Sequence, residues 1–287
     1  MDMTEQKNDF GVGSVEQNII RMAVPMTVAQ ILNLLYNLVD RMYIGHIPGA
    51  SSLALTGVGI TFPIISMITA FANLFGMGGA PLCSMARGRR DYDAAKRYMQ
   101  NAFWMLLAVG VVLTVTGYVI EKPLLYALGA SSVTYPYASS YLRIYLLGNM
   151  FVMVGIGMNP FINAQGFGTM GMVTVGLGAL VNIILDPLFI FVFHMGVEGA
   201  AIATIIAQFL SALWVLFFLT GEKPDLRLKI CWRKPEFSVV KEIVSLGLSN
   251  FFMLFTNSLV QVVCNRQLQL YGGDLYVGVM TVLISVR

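Results

Sequence analysis

Charge is scarce in this sequence. Only 11% of its 287 residues are Asp, Glu, Lys or Arg, where a soluble globular protein carries about a quarter. That shortage excludes an ordinary water-soluble domain. Cysteine is nearly missing too. Cys83, Cys231 and Cys264 form no C-x-x-C pair, and two of them lie in apolar stretches. Neither a disulfide framework nor a zinc site is implied. The two histidines, His46 and His194, fall at the ends of apolar segments and form no H-x-x-x-H pair. The polar N-terminus, Met1 to Phe10, lacks a signal-peptide cleavage pattern, so the first apolar segment is expected to stay in the protein.

What is present in quantity is apolar. Hydrophobic residues make up 57% of the chain, with 28 glycines and 18 methionines. Small residues let helices approach closely in lipid. The expectation is an all-α integral membrane protein with several spans. A span needs about 20 apolar residues in helix. Segment one runs from Ile19 to Ile47 with Pro25 near its start, segment two from Leu53 to Met85, and segment three from Tyr98 to Ile120. Segment four runs from Tyr137 to Ile162, five from Met170 to Phe193, and six from Gly199 to Leu219. A polar connector over 220–241 follows. Segment seven runs from Ile243 to Leu270, and an eighth begins near Leu275.

Basic residues orient these spans. Arg87, Arg89, Arg90, Lys96 and Arg97 follow segment two. Lys223, Arg227, Lys229, Arg233, Lys234 and Lys241 follow segment six. The connectors after segments one, three and five hold only Lys122. By the positive-inside rule, the N-terminus and the even connectors are cytoplasmic. The basic connectors are topogenic or meet anionic headgroups. They do not argue for nucleic-acid binding.

Within the spans, one polar couple stands out. Asn182 and Asp186 lie four residues apart in Leu180-Val181-Asn182-Ile183-Ile184-Leu185-Asp186-Pro187-Leu188, so on a helix they share a face. Pro187 removes a backbone donor and forbids a regular continuation. Charged residues within a span usually mark an ion or substrate path. Asp40 and Asp186 each lie seven residues before the outer end of an outward-running segment, roughly 10 Å deep at 1.5 Å per residue. Thr204 lies about one turn into segment six. These four residues are therefore expected at one depth, in the outer half, and the two acids are the carboxylates well inside apolar segments. Asn33, Asn37 and Asp40 recur on one face of segment one beside Tyr36. That face lines the interior or makes ordinary interhelical hydrogen bonds. Gln30, Asn159 and Asn163 are further lining candidates, and Pro25 and Pro187 are candidate bends.

A weak repeat runs through the chain. Ala23-Val24-Pro25 matches Gly247-Leu248-Ser249 at an offset of 224, where Asn33-Leu34 falls on Asn257-Ser258 and Gly49 on Gly273. The offset spans six helices and preserves orientation, as in a parallel repeat. Asp40 falls on Cys264, so the two copies differ in chemistry. The expected organisation is a six-helix N-lobe over 1–219, a cytoplasmic connector over 220–241, and the start of a C-lobe over 242–287, read as a fragment of a longer chain.

Tyr36-Asn37-Leu38-Val39-Asp40-Arg41-Met42-Tyr43-Ile44-Gly45-His46 resembles the end of the first helix of MATE (multidrug and toxic compound extrusion) transporters. Ala86-Arg87-Gly88-Arg89-Arg90-Asp91 resembles their second connector, and Asn163-Ala164-Gln165-Gly166 their fourth-helix end. Asn182-Ile183-Ile184-Leu185-Asp186-Pro187 with Gly199-Ala200-Ala201-Ile202-Ala203-Thr204 resembles their helices five and six. The branch it looks like is the DinF-like and MepA-like prokaryotic one. The resemblance implies twelve helices in two lobes, of which this chain holds the first six, the seventh and part of the eighth. It implies export of amphipathic organic cations coupled to H+ or Na+, from a multi-pass position in the cell inner membrane. It implies a cation site of Asp40, Asn182, Asp186 and Thr204 with the Ala200 carbonyl, a bending Pro25, no cofactor, and a monomer when full length.

Other readings stay on the table. Asp186 alone could be a helix-ending residue beside Pro187, and Asp40 a partner for Arg41, although neighbours on a helix do not face each other. Thr204 alone could bond back to its own helix. Two carboxylates, an amide oxygen and a hydroxyl form an all-oxygen cage in which two close carboxylates share a proton or hold sodium. Gly166-Phe167-Gly168-Thr169-Met170-Gly171 matches G-x-G-x-x-G, but it follows a membrane helix where a dinucleotide site needs a strand. A flippase for lipid-linked saccharides of the same superfamily ranks second. A membrane-embedded enzyme ranks low, since no nucleophile–base or metal constellation lies within the spans.

Overall fold

The structure, a computed structural model, describes residues 14–47, 51–229 and 235–286. Gly49 of the repeat, Cys231, Arg233 and Lys234 lie outside the described residues, as does the polar Met1 to Phe10. Among the described residues the regular elements are all helical: α1 (Val15–Ile44), α2 (Ser51–Gly88), α3 (Tyr92–Ala127), α4 (Tyr135–Leu147), α5 (Asn149–Ala164), α6 (Gly168–Pro187), α7 (Gly196–Thr220), α8 (Phe237–Gly272) and α9 (Asp274–Val286). Local chemistry starts several of them. The Ser14 side chain accepts from the Gln17 N–H at 3.3 Å, and Asp91 accepts from the Ala94 N–H at 3.0 Å. Each supplies a partner to a backbone donor that the first turn leaves free.

Six of these helices are long and apolar enough to cross a membrane, and seven when α4 and α5 count as one broken span. The protein is a multi-pass membrane protein. Segment four departs from the expected continuous span, because α4 and α5 meet at Gly148 with a bend of 60°. The cause is local. A Cβ at Gly148 would lie 2.5 Å from the Ile205 side chain, so α7 presses into a gap that only glycine leaves. The next residue, Asn149, turns its amide to α3, donating to the Gly110 carbonyl at 2.9 Å and to Thr114 Oγ1 at 3.0 Å.

Segment five is also irregular where the proline foretells it. α6 ends at Pro187, and Leu188–Val192 continue as one wide π-helical turn, in which the Phe193 N–H bonds to the Leu188 carbonyl at 3.0 Å. A proline lacks the N–H that a regular turn would use, and a widened turn absorbs the missing bond. Pro25, by contrast, sits inside α1 without interrupting it.

The polar connectors gather at one end of the molecule, the basic end. Arg87 at the end of α2 pairs with Asp225 at 2.6 Å, and the Leu226 N–H donates to Gln165 Oε1 at 2.9 Å. The connector after α7 is therefore strapped beneath α2 and α5, with Leu226 and Leu228 buried.

α2 is the common partner of the helices before and after that connector. Its Gly78 crosses Gly247 of α8 with backbone on backbone. A Cβ at Gly247 would fall 2.0 Å from the Leu74 carbonyl oxygen, and one at Gly78 would fall 2.2 Å from the Ile243 carbonyl oxygen. Toward the opposite end α2 meets α9, where Thr56 Oγ1 donates to the Asp274 carbonyl at 3.1 Å. Backbone cannot rotate aside as a side chain can, so even one methyl must separate the two helices. Gly247→Ala is expected to destabilise the fold by about 1–3 kcal/mol, the usual cost of overpacking. Gly88→Ala, where nothing lies within 4 Å, should leave thermal unfolding in detergent unchanged.

Candidate functional site

α1 and α6 run side by side in the same direction. Met22, two turns into α1, lies against Gly168 at the start of α6, and Tyr43 in the last turn of α1 meets the Phe191 ring in the turn that follows α6, centroids 6.2 Å apart. Equal numbers of residues separate Met22 from Asp40 and Gly168 from Asp186. A parallel pair in constant register therefore brings the two acids level, with their carboxyls within hydrogen-bonding reach of each other. Both are buried, Asp186 completely.

α7 returns antiparallel to α6 along small residues. Ser211 Oγ donates to the Thr174 carbonyl at 3.1 Å, and a Cβ at Gly178 would lie 2.5 Å from that hydroxyl. This packing carries Thr204 to the acid pair. Asn182 Nδ2 donates to Asp186 Oδ1 at 3.1 Å and to Thr204 Oγ1 at 3.5 Å. Asp40, Asn182, Asp186 and Thr204 thus form one buried group contributed by three helices. Ala200, fully buried, lies one turn before Thr204 on α7.

The group is rich in oxygen and short of donors. Asp40 Oδ1, Asp186 Oδ2 and Asn182 Oδ1 are buried without a hydrogen-bond partner in the protein. Two neighbouring buried carboxyls can share a proton or be bridged by a cation, and hard oxygen donors suit either. Among the described residues no three His, Cys, Asp or Glu cluster as metal ligands. A bound ion would therefore draw on the neutral amide and hydroxyl oxygens as well as the two acids.

Arg41 does not serve Asp40 as an ion-pair partner among the described residues. Its guanidinium lies over the Phe62 ring of α2, 4.3 Å from the centroid, an arrangement that favours a cation. Successive helical positions point apart, so Arg41 turns to α2 while Asp40 turns to α6.

The lining candidates separate into distinct places. Tyr36 approaches both acids. Asn37 donates along its own helix to the Asn33 carbonyl at 2.7 Å and to Asn33 Oδ1 at 3.0 Å, while Gln30 and Asn33 are exposed. Asn159 and Asn163 lie near the basic end. Asn159 Nδ2 donates to the Gly171 carbonyl at 3.3 Å, and a Cβ at Gly171 would fall 2.2 Å from Asn163 Oδ1. They tie α5 to α6 about 20 Å from Asp186 along the helix at 1.5 Å per residue.

Two groups near the site escape a sequence reading. Tyr141 of α4 is buried near Asp40 and Thr204. Tyr145 stacks on it with centroids 6.2 Å apart. Their four-residue spacing was the available signal, but nothing in it pointed α4 toward α6. The second is Glu121. Segment three was expected to end at Ile120, yet α3 continues to Ala127. Glu121 is therefore a third buried carboxylate among the described residues, at 4% exposure. Lys122 and Pro123 next to it suggested a connector; packing against α4 extends the helix through them.

The fold and this oxygen-lined group define a helical membrane protein with a polar centre shared by three spans. Comparison with known proteins narrows the class. The MatE family profile matches residues 25–188, and the chain belongs to the MATE family. It is 28% identical over 269 residues to the multidrug export protein MepA of Staphylococcus haemolyticus (strain JCSC1435), covering 94% of this chain and 59% of that protein. It superposes on the structure of the MATE multidrug transporter DinF-BH, solved as a ligand complex, with a TM-score of 0.89 at 33% identity, covering 98% of this chain and 62% of that one. An inward-facing multidrug resistance MATE family transporter of the MOP superfamily gives 0.81 at 27% identity, covering 92% and 60%. The chain thus spans about 59% of the length of the curated relatives it matches.

Thr204→Val keeps the shape and removes the hydroxyl that faces both Asn182 and Tyr141. Interhelical hydrogen bonds in membranes contribute about 0.6 kcal/mol on average and up to about 1.7. A loss within that range is expected for Thr204→Val in thermal unfolding, and a smaller one for Thr204→Ser.

Proposed function

We propose that this chain is the N-lobe, with the first part of the C-lobe, of a MATE exporter of amphipathic and often cationic compounds. Binding of H+ or Na+ at Asp40, Asn182, Asp186 and Thr204 drives it. The observation that supports this most is the carboxyl pair joining α1 to α6, with an amide from α6 and a hydroxyl from α7 beside it. The names of its relatives, a multidrug export protein and a multidrug transporter, point the same way.

The site couples ion binding to helix packing. With a proton or sodium between them, Asp40 and Asp186 hold α1 against α6. Without it, two buried carboxylates repel each other across the same pair of helices. An ion that binds one packing more tightly than the other shifts the balance between them. α1 is suited to such a change, since its chief neighbour is α6 and Pro25 leaves it one backbone bond short. The lobe spans 1–219, the connector 220–241 and the start of the second lobe 242–287. The N-terminus and the basic end face the cytoplasm, as the arginines of the α2–α3 connector indicate.

Asp186→Asn keeps the size and removes the charge. It should abolish coupled drug export from cells producing the full transporter while leaving its amount in the membrane unchanged; undiminished export would rule out the assigned role. Ion binding is tested without any substrate. The thermal stability of the wild type should respond to sodium or to pH, by about 2.7 kcal/mol at a hundredfold excess of ion over its dissociation constant. That response should vanish in Asp40→Asn and in Asp186→Asn.

A further inference from the structure

α4 has 13 residues and is cut from α5 by the bend at Gly148. A short helix without a straight continuation depends on the helices packed around it, α2, α3 and α7, to hold its roll about its axis. Yet its roll matters, because Tyr141 on one face lies buried near Asp40 and Thr204, with Tyr145 stacked on it. The opposite face of α4 carries Ser139 and Arg143, also four residues apart, and both are held by one group. Ser139 Oγ donates to Glu121 Oε1, and Arg143 Nε donates to Glu121 Oε2 at 2.7 Å. Tyr118, one turn earlier on α3, donates to the Arg143 carbonyl at 2.6 Å.

We propose that Glu121 is a positioning residue for the cation site: its carboxylate grips α4 from behind through Ser139 and Arg143, and so aims Tyr141 at Thr204 and the acid pair. The inference rests on the cation-site reading for its functional part, while its geometric part stands alone. A carboxylate suits the task because it has two oxygens and accepts a separate donor on each. Residues four apart on a helix present those donors side by side. Two such bonds on one face resist roll, where a single bond would act as a pivot. The charge of Arg143 compensates the buried carboxylate, and the remainder of the guanidinium stays exposed, with the Arg143 side chain 59% exposed. Outer partners that orient the groups around an ion site act on its affinity without touching the ion.

The test reads orientation and ion binding separately. 3-Fluorotyrosine at position 141, in protein reconstituted in lipid nanodiscs, reports the surroundings of that hydroxyl by fluorine NMR. Glu121→Gln should displace or broaden this resonance, and Ser139→Ala should move it in the same direction by less. An unmoved resonance in Glu121→Gln overturns the proposal. Should Glu121→Gln fail to fold, the resonance in Ser139→Ala decides in the same way. The second measurement is the sodium or proton concentration giving half-maximal thermal stabilisation. Glu121→Gln should raise it by about tenfold, and adding Glu121→Gln to Tyr141→Phe should cost nothing beyond Tyr141→Phe alone. A lower melting temperature with unchanged ion affinity, or additive losses, would reduce Glu121 to a structural tie. A wild type without any ion response would sink the cation-site reading, and the fluorine resonance would still decide the role of Glu121.

Discussion

Two carboxyls within hydrogen-bonding reach, deep in an apolar body, are the constraint to which the surrounding helices answer. Neither acid can be left alone there, since an unpaired buried charge is costly. A shared proton or a bridging cation would relieve the repulsion of such a pair. The parallel register of α1 on α6 supplies the pair. The small-residue seam between α6 and α7 brings Thr204, and Asn182 bridges the acid and the hydroxyl. The wide turn after Pro187 begins at the next residue, so the irregular backbone lies beside the acid and nowhere else in α6. Irregular backbone in a membrane is tolerated where protein surrounds it.

A second theme is close approach. Gly78 and Gly247 bring α2 and α8 into backbone contact, Gly148 admits Ile205, and Gly178 makes room for Ser211. Lipid provides no hydrophobic drive for helices to associate, so packing contacts and hydrogen bonds must do so. The glycines let helix axes approach until carbonyls and hydroxyls meet. The hydroxyl of Ser211 reaches the Thr174 carbonyl because Gly178 has no side chain in its way. The same device joins the two sides of the connector, since α2 touches both α8 and α9.

The spans, their order and the common depth of Asp40, Asn182, Asp186 and Thr204 were legible in the sequence because each follows from a local count. Hydropathy over a span and the rise of a helix need no knowledge of neighbours. The break at Gly148 was not legible, since its cause is Ile205, a residue of another helix. Glu121 was misjudged for the same reason: beside Lys122 and Pro123 it looks like the start of a connector, and only Ser139 and Arg143 make it part of a helix. Tyr141 and Tyr145 carried the right spacing and no indication of direction. Asn33 shared a helical face with Asp40, and yet the structure leaves it exposed while Asp40 is buried.

Composition and periodicity alone determined a polytopic helical membrane protein with acids at one level in its first and fifth spans. Those properties depend on residue type and on the fixed rise of a helix, both of which are local. Which helices lie side by side was decided only in three dimensions. Equal depth allows Asp40 and Asp186 to meet; the packing of α1 on α6, set by side-chain fit along the whole length of both, makes them meet. The setting of α4 belongs to that second kind as well, because one buried carboxylate of α3 binds both Ser139 and Arg143, a link that no count along the chain reveals.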